Sequence, residues 1–156
     1  MNIVTEKATE EDIKDVQRMC GALMYHVKQW EPTLDENWIF GEEGEEFLRS
    51  SITGEDSTVL KAVVDNQTAG FVIGSTREKP YRLERKFAEI DFFYVNPDYR
   101  RHGVGTSLMD GLFSWCKEKD AKILLVETTY NNVDGQAFYR TKGFHNQELV
   151  LEKEIK

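Results

Sequence analysis

Apolar residues recur along this chain with two spacings, which divide it into helices and strands. Residues 13–27 carry an apolar residue at every third or fourth position, which is typical of a helix with one buried face. Thr9 precedes three acidic residues at the start of this segment and is expected to cap the helix. The same spacing returns from Val104 to Trp115, and a shorter helix is expected over residues 135–142, closed by Gly143.

Six segments have the composition or the alternation of strands. They are residues 3–7, 57–64, 69–76, 87–95, 123–129 and 144–154. The charged segment 78–86 contains Pro80 and is expected to be an exposed loop, and Asn96-Pro97 ends the fourth strand. With a second helix left open before the second strand, the order β-α-(α)-β-β-β-α-β-α-β predicts an α/β fold with a mixed sheet. No repeat or linker interrupts residues 1–156, so one domain is expected.

A glycine-containing turn separates the fourth strand from the helix that begins near Val104. Free N–H groups and the helix dipole make such a helix start an anion site. Gly103 and Gly105 lack the Cβ atoms that would hold a phosphate away, and Arg100 and Arg101 add charged donors. The turn therefore predicts a pyrophosphate cradle. A P-loop is excluded because no lysine follows the second glycine, and Leu108 stands where a dinucleotide fingerprint needs its third glycine.

Three segments in order resemble the GNAT superfamily of N-acetyltransferases. Arg100 to Gly105 reads Arg-x-x-Gly-x-Gly, which is similar to the coenzyme A signature of that family. Residues 87–97, FAEIDFFYVNP, resemble its fourth strand, and residues 132–144, NVDGQAFYRTKGF, resemble its Asn-x-x-Ala-x-x-Phe-Tyr-x-x-x-Gly-Phe block. The resemblance implies a central, mostly antiparallel sheet with splayed middle strands, flanked by helices. It also implies an N-acetyltransferase that uses acetyl-CoA as co-substrate and no metal.

The resemblance further implies which residues bind acetyl-CoA. The backbone of Phe93, Tyr94 and Val95 would pair with the pantetheine arm, and the N–H of Tyr94 or Val95 would stabilise the acetyl oxygen. The residues expected around the pyrophosphate are Arg100, Arg101, His102, Gly103, Val104, Gly105 and Thr106. His102 is expected to contribute only its backbone N–H. Asn132 matches the asparagine that bonds the pantetheine or its helix, and the adjacent Asn131 is an alternative. Gly135 stands where alanine is commoner, a change expected to create no clash.

The catalytic assignments also follow from the resemblance. Tyr139 matches the tyrosine that protonates the departing thiolate, and a phenol can donate a proton at neutral pH. Glu89 stands where histone-type members carry their catalytic glutamate, the base for the incoming amine. Asp91 lies two residues further on the same face of the strand, so it is the alternative base. Two neighbouring carboxylates would raise each other's pKa.

The net charge of −8 originates in one segment. Residues 31–56 contain nine acidic residues and one basic residue, Arg49, while the other 19 acidic and 19 basic residues cancel. In the family this segment forms a wall of the acceptor site. Its negative field would attract a cationic acceptor, with Trp30, Trp38 and Phe40 as cation-π surfaces. The alternative is a solvated acidic face.

These observations predict an acetyl-CoA-dependent N-acetyltransferase that acts on a primary amine, on a cationic small molecule in preference to a protein. The alternatives are a protein N-terminal or lysine acetyltransferase and, outside enzymes, an acyl-CoA-binding regulatory module. Cys20 and Cys116 have no metal-ligand spacing and are expected to be buried free thiols in a reducing compartment. The sequence has no apolar run that would span a membrane and no signal-peptide pattern, so a cytoplasmic enzyme is expected. Neither a nucleic acid nor a membrane is an expected partner, and a homodimer stays open.

Overall fold

Five strands form one sheet in the computed structural model, which describes residues 1–156. The strands are β1 (Ile3–Lys7), β2 (Ser57–Val64), β3 (Gln67–Glu78), β4 (Lys86–Val95) and β5 (Ile123–Val126). They lie in the order β1-β2-β3-β4-β5, and every neighbouring pair is antiparallel except β4 and β5, which are parallel. The predicted α/β fold with a mixed, mostly antiparallel sheet is confirmed.

Four helices connect these strands and cover the sheet. They are α1 (Ile13–Val27), α2 (Glu42–Thr53), α3 (Val104–Glu118) and α4 (Val133–Thr141). The helix that the sequence left open is α2, which lies in the acidic segment between α1 and β2. Thr9 is the N-cap of a 3-10 turn at Glu10–Asp12, directly ahead of α1. The backbone N–H of Thr9 donates to the Asp12 carboxylate at 2.8 Å. None of the helices is both long and apolar enough to cross a membrane.

Two groups of buried side chains fill the two faces of the sheet. On one face α3 packs its buried positions, among them Leu108 and Leu112, against β2, β3 and β4. On the other face α1 and α2 cover Phe71 and Ile73 of β3. Both cysteines lie in these groups as free thiols, as expected. Burial raises the pKa of the Cys116 thiol to about 11, which makes it unreactive at neutral pH.

The prediction of a final strand over residues 144–154 is wrong for the single chain. Residues 144–156 belong to no helix or strand, and the last backbone hydrogen bond joins the N–H of Phe144 to the carbonyl of Tyr139. A strand requires a neighbour to pair with, and the composition of a segment cannot show whether its own chain supplies one. The strand predicted over residues 123–129 is shorter than expected. It stops at Val126, because its pairing with β4 ends there.

Candidate active site

A gap opens in the middle of the sheet, where β4 and β5 separate. The parallel pairing runs from Phe87↔Ile123 to Ile90↔Val126 and stops there. β4 continues for five more residues to Val95 without a partner on this side. The splayed middle strands implied by the family resemblance are therefore present.

A bulge at Asp91 determines which backbone groups of β4 face the gap. In the β3–β4 register Ile73 pairs with Phe92 and Gly74 with Ile90, so Asp91 is an extra residue without a partner. Beyond it, the N–H of Asn96 donates to the carbonyl of Ala69 on β3. By strand alternation the backbone N–H and C=O groups of Tyr94 and Phe92 also point toward β3. The backbone groups of Phe93 and Val95 therefore point away from β3, into the gap. The Val95 carbonyl accepts from Arg100 Nε at 2.8 Å. Of the two N–H groups expected to stabilise the acetyl oxygen, only that of Val95 faces the gap.

The turn before α3 presents a run of free N–H groups at one end of this gap. No backbone carbonyl accepts from any N–H between Arg101 and Thr106, and the first helical bond joins Ser107 N–H to the Gly103 carbonyl. Gly103 is the N-cap of α3 with φ of +90°, and Arg101 has φ of 63°. Consecutive N–H groups in such a turn form a concave anion site at the positive end of a helix dipole. The predicted cradle therefore has the geometry that a pyrophosphate requires.

The two glycines of the cradle serve different purposes. A Cβ on Gly103 would have only ordinary contact, 3.6 Å from Ile3 Cδ1, so this glycine is required by its positive φ. A Cβ on Gly105 would lie 3.3 Å from the Phe138 ring and 3.6 Å from Phe93. Gly105 thus lets the stacked rings of Phe93 and Phe138, whose centroids are 5.3 Å apart, pack against the first turn of α3. This packing joins α4 to the gap side of β4.

The basic residues near the cradle differ from the expectation in one respect. Arg100 holds the end of β4, since it binds the Val95 carbonyl and its guanidinium lies 5.7 Å from the centre of the Tyr94 ring. Arg101 and His102 are exposed. Lys142, which the motif did not identify, donates from Nζ to the Thr106 hydroxyl at 2.7 Å and places its charge at the start of α3. The cradle therefore has a cation supplied by the residue that follows α4.

Tyr139 lies on α4 among three aromatic rings. Its ring centroid is 6.2 Å from that of Phe93, 5.7 Å from that of Phe138 and 5.5 Å from that of Phe144. Burial raises the pKa of the Tyr139 phenol to about 12, so the hydroxyl keeps its proton at neutral pH. The side chain thus combines a fixed ring with an available proton beside the gap strand.

Two carboxylates lie at the other end of the gap and share one arginine. Arg77 of β3 contacts Glu89 Oε2 through Nε at 2.7 Å and Asp91 Oδ1 through a terminal nitrogen at 3.9 Å. The Asp91 side chain is 20% exposed and that of Glu89 is 27% exposed. Burial raises the pKa of Asp91, and the nearby Glu89 charge adds to the shift while Arg77 opposes it. Both predicted carboxylates are present on one face, and Arg77 is the partner that the sequence did not reveal.

An aromatic row connects the acidic segment to this pair of carboxylates. Phe92 of β4 lies 5.7 Å from Phe47 of α2, which lies 5.7 Å from Trp38. The Trp38 indole N–H donates to Glu43 at 3.2 Å. The other two aromatic residues considered as cation-π surfaces lie elsewhere: Phe40 packs against Gly21 of α1, and Trp30 meets the His26 ring edge-on at 5.2 Å.

The acidic segment is partly neutralised by ion pairs. Glu36 pairs with Lys28, and Arg49 pairs with Glu45 at 3.1 Å and with Glu46 at 3.7 Å. Glu42 and Glu43 at the start of α2 pair with no basic side chain. An uncompensated negative charge therefore lies at the Trp38 end of the aromatic row.

Asn132 is the N-cap of α4, which accounts for its place in the motif. Its side-chain oxygen accepts from the Gly135 N–H at 3.1 Å, and its amide nitrogen donates to the Thr128 hydroxyl at 3.2 Å. Asn131 does not take this role. Glycine at position 135 creates no clash, whereas a Cβ there would lie 2.5 Å from the Asn132 amide nitrogen, so the cap as it stands is suited to glycine. Gly135 and Asn132 therefore form one capping unit that orients the helix carrying Tyr139.

The gap, the cradle and the capped tyrosine helix are the parts that an acetyl-CoA-dependent enzyme of this fold needs. A model of the acetyltransferase (GNAT) family matches residues 22–144. The chain belongs to the GNAT family. It is accordingly an acyltransferase of the N-acetyltransferase type, and members of this family use acetyl-CoA as the acetyl donor.

Several N-acetyltransferases match this chain over most of its length. An uncharacterized N-acetyltransferase from Archaeoglobus fulgidus is 20% identical over 142 residues, which is 91% of this chain and 92% of that protein. An aminoglycoside N(6')-acetyltransferase type 1 from Stenotrophomonas maltophilia is 24% identical over 115 residues, 69% of this chain and 71% of that protein. The crystal structure of an aminoglycoside antibiotic 6'-N-acetyltransferase from Acinetobacter baumannii has a TM-score of 0.76 at 20% identity and covers 99% of each chain, so the fold is shared.

Proposed function

We propose that this GNAT enzyme acetylates a primary amine of a small, cationic acceptor by direct attack in a ternary complex with acetyl-CoA. The observation that carries the proposal is the placement of Asp91 and Glu89 at one end of the gap and the cradle at the other. The free backbone of Phe93 and Val95 lies between them. A chain of this fold that bound acyl-CoA without using it would have no need for a partly buried acidic pair at the bulge.

The residues of the gap fit acetyl-CoA. The N–H groups from Arg101 to Thr106 have no carbonyl partner, and Lys142 adds a positive charge, so a pyrophosphate would complete their hydrogen bonding. The outward N–H and C=O of Phe93 can pair with the amides of the pantetheine arm as a further strand would. The chemistry that acetyl-CoA supplies is an acetyl group activated as a thioester. The Val95 N–H faces the gap and would stabilise negative charge on the acetyl oxygen.

One carboxylate of the pair takes the proton of the amine. An alkyl ammonium has a pKa near 10.4, so the acceptor arrives charged and must lose a proton before it attacks. Asp91 suits this role better than Glu89, because burial raises its pKa and makes it the stronger base, while Arg77 engages Glu89 at 2.7 Å. Glu89 and Arg77 would then fix the position of Asp91.

Tyr139 supplies the proton that the departing sulfur needs. As the amine nitrogen bonds to the acetyl carbon, the carbon–sulfur bond breaks and the sulfur leaves as a thiolate. The phenol of Tyr139 donates its proton to that sulfur, and its pKa of about 12 ensures that the proton is present. Attack within one complex needs no covalent enzyme intermediate, since holding both reactants supplies the rate gain.

The acceptor class is inferred from the acidic segment and from relatives. Glu42, Glu43 and Trp38 lie on the wall that the aromatic row connects to Phe92, next to Asp91 in sequence. Unpaired carboxylates and an indole attract an acceptor that carries several positive charges. The Stenotrophomonas maltophilia relative is named for an aminoglycoside, which is a compound of this class.

A panel of acceptors tests this proposal. The enzyme is mixed with acetyl-CoA and with polyamines, aminoglycosides, neutral amino acids or a lysine-containing peptide; thiol release gives the rate, and mass spectrometry identifies the product. We expect the highest kcat/KM for a compound with at least two amino groups. A neutral amino acid or the peptide as the best acceptor would overturn the small cationic acceptor. If no amine raises the rate of thiol release above the rate of hydrolysis without an acceptor, the proposed transfer reaction is overturned.

A further inference from the structure

A buried hydroxyl on β3 has no hydrogen-bond partner. Ser75 Oγ is shielded from solvent, and no donor or acceptor of the chain forms a hydrogen bond with it. Burying a hydroxyl without a partner is costly, so such groups are rare in native proteins and call for an explanation. Packing alone does not explain why β3 carries a serine at this position.

The sheet places Ser75 on the same side as the two carboxylates. A Cβ on the preceding residue, Gly74, would lie 2.7 Å from Leu112 of α3, so Gly74 faces α3. By alternation along β3, Ser75 faces the opposite side of the sheet. Ser75 pairs with Glu89 of β4, and the side chains of paired residues project to the same side. The hydroxyl therefore lies on the side where Glu89 and Asp91 meet Arg77.

Arg77 and Ser75 approach the carboxylates from different directions. Arg77 follows Ser75 on the same side of β3, and its side chain is 58% exposed. It contacts Glu89 at 2.7 Å and Asp91 at 3.9 Å. The Ser75 hydroxyl is buried instead. The carboxylates thus have a cation at the surface and a neutral donor toward the interior.

The bulge in β4 brings Asp91 beside Ser75. In the β3–β4 register, the extra residue Asp91 stands opposite the two residues that precede Ser75. Burial raises the pKa of Asp91, and the Ser75 hydroxyl is the strongest of the effects that lower it, ahead of Arg77. The charged groups that act on Asp91 are Arg77 and Glu89, which lie on the same two strands. Asp91 is therefore the carboxylate that the hydroxyl can reach.

A hydroxyl and a guanidinium affect a base in different ways. A guanidinium brings a full positive charge, which stabilises a carboxylate strongly and weakens it as a base. A serine hydroxyl is neutral and donates a single hydrogen bond, so it occupies one carboxylate oxygen and leaves the negative charge in place. The second oxygen keeps its lone pairs and can accept a proton.

From this arrangement we infer that Ser75 is a positioning residue for Asp91. Its hydroxyl donates to one oxygen of the Asp91 carboxylate and directs the other oxygen toward the gap. There the N–H bond of the acceptor ammonium breaks and an O–H bond forms on Asp91, while Ser75 keeps its own proton. This role rests on the proposed function, in which Asp91 is the base.

The first experiment measures the pKa of Asp91 directly and needs no acceptor or turnover. The chain is labelled with ¹³C at its aspartate carboxyl groups and titrated by NMR, and Asp91→Asn identifies the signal. A hydrogen bond to the charged form lowers a pKa, so Ser75→Ala should raise the pKa of Asp91 by about one unit. Ser75→Thr keeps a hydroxyl and should titrate as the wild type does.

Thr76→Val is the matched control for this titration. It removes the hydroxyl of the next residue on β3, which bonds to Asp56 and belongs to the other side of the strand. The pKa of Asp91 should be unchanged in this variant. An equal pKa of Asp91 in the wild type and in Ser75→Ala, or an equal rise in Ser75→Ala and Thr76→Val, would overturn the inference.

The second experiment measures the pH profile of kcat/KM with the best acceptor. In Ser75→Ala the inflection on the acidic side should move to higher pH by the shift seen in the NMR titration. The kcat above that inflection should fall severalfold, because the carboxylate is less well oriented. Ser75→Thr should restore both. The Tm of Ser75→Ala should equal or exceed that of the wild type, since the substitution removes an unpartnered buried hydroxyl.

The outcomes separate the role of Ser75 from the proposed base. An inflection that Asp91→Asn removes and Ser75→Ala leaves in place would overturn the role of Ser75 alone. An inflection that survives Asp91→Asn would overturn the base in the proposed function and the role of Ser75 with it. A lower Tm in Ser75→Ala with an unchanged pH profile would make Ser75 a structural residue and would also overturn the inference.

Discussion

Removal of the Tyr139 hydroxyl tests the chemistry of the gap with little change to its packing. The centroid of the Tyr139 ring lies 5.5 to 6.2 Å from those of Phe93, Phe138 and Phe144, and phenylalanine keeps all three contacts. No group of the chain hydrogen-bonds to the hydroxyl, so Tyr139→Phe leaves no partner unsatisfied. We expect the free energy of unfolding to change by less than about 1 kcal/mol.

The catalytic loss should be much larger. With a pKa of about 12, only about one phenol in ten thousand is ionised at pH 8, so the wild-type enzyme has its proton donor throughout the assay range. General acid catalysis contributes roughly a hundredfold to ten-thousandfold. That range corresponds to about 2.7 to 5.4 kcal/mol of transition-state stabilisation.

Steady-state thiol release gives kcat, and calorimetry gives the Kd for acetyl-CoA. For Tyr139→Phe, kcat should fall by the stated factor while the Kd stays within about twofold of wild type. Tyr25→Phe removes a phenol hydroxyl from an exposed position on α1 and should match wild type in both. The role of Tyr139 as proton donor would be refuted by a kcat within threefold of wild type, provided that single-turnover kinetics show the transfer step to be rate-limiting.

Three further predictions concern the cradle, the base and the acidic segment. Gly103→Val should weaken acetyl-CoA binding at least tenfold in calorimetry, because its φ of +90° is strained for a residue with a branched Cβ. Gly143→Val, at φ of +91° with open space around it, should lower Tm comparably and keep the affinity; equal affinities in the two variants would contradict the cradle. Asp91→Asn should remove the inflection on the acidic side of the pH profile of kcat/KM. Activity rises there as the base loses its proton, and the raised pKa of Asp91 places this inflection above the usual aspartate range. If Glu89→Gln removes the inflection and Asp91→Asn does not, Glu89 is the base. Replacement of Glu42, Glu43, Glu45 and Glu46 by glutamine should raise the KM of the acceptor and spare kcat, and ionic strength should raise the wild-type KM, since exposed charges are screened over about 10 Å at 0.1 M salt. If neither the four substitutions nor ionic strength changes the KM of the acceptor, the acidic segment is only a solvated face.

The cradle was accessible from the sequence because its determinants are adjacent in the chain. Gly103 and Gly105 stand between a recognisable strand and a recognisable helix, and each could be assigned to a helix start. The same holds for the asparagine cap and Tyr139, which share one short helix.

Arg77 and Lys142 were missed because the fold brings them to the site from a distance. Arg77 reaches Glu89 through the register of β3 on β4, which no local pattern reveals. Lys142 is 36 residues from Thr106 and meets it only after α4 has packed on α3.

The final strand was predicted from a correct local pattern and is absent from the single chain. Alternation in residues 144–154 indicates that the segment suits a sheet, but pairing needs a free edge within reach. Whether such an edge is available depends on how the rest of the sheet is assembled, and the local pattern of the segment does not contain that information.

The bulge at Asp91 has a consequence for how this sequence tolerates change in length. Because Ile90 pairs with Gly74 and Phe92 with the adjacent Ile73, deletion of Asp91 would close the bulge and leave the facing of Phe92 to Val95 unchanged. Phe92 and Tyr94 would stay on the α1–α2 side of the sheet, and Phe93 would keep its stacking on Phe138. The extra residue therefore adds a carboxylate beside the gap without disturbing the pairing of β4 on either side, and its removal would take away that carboxylate alone.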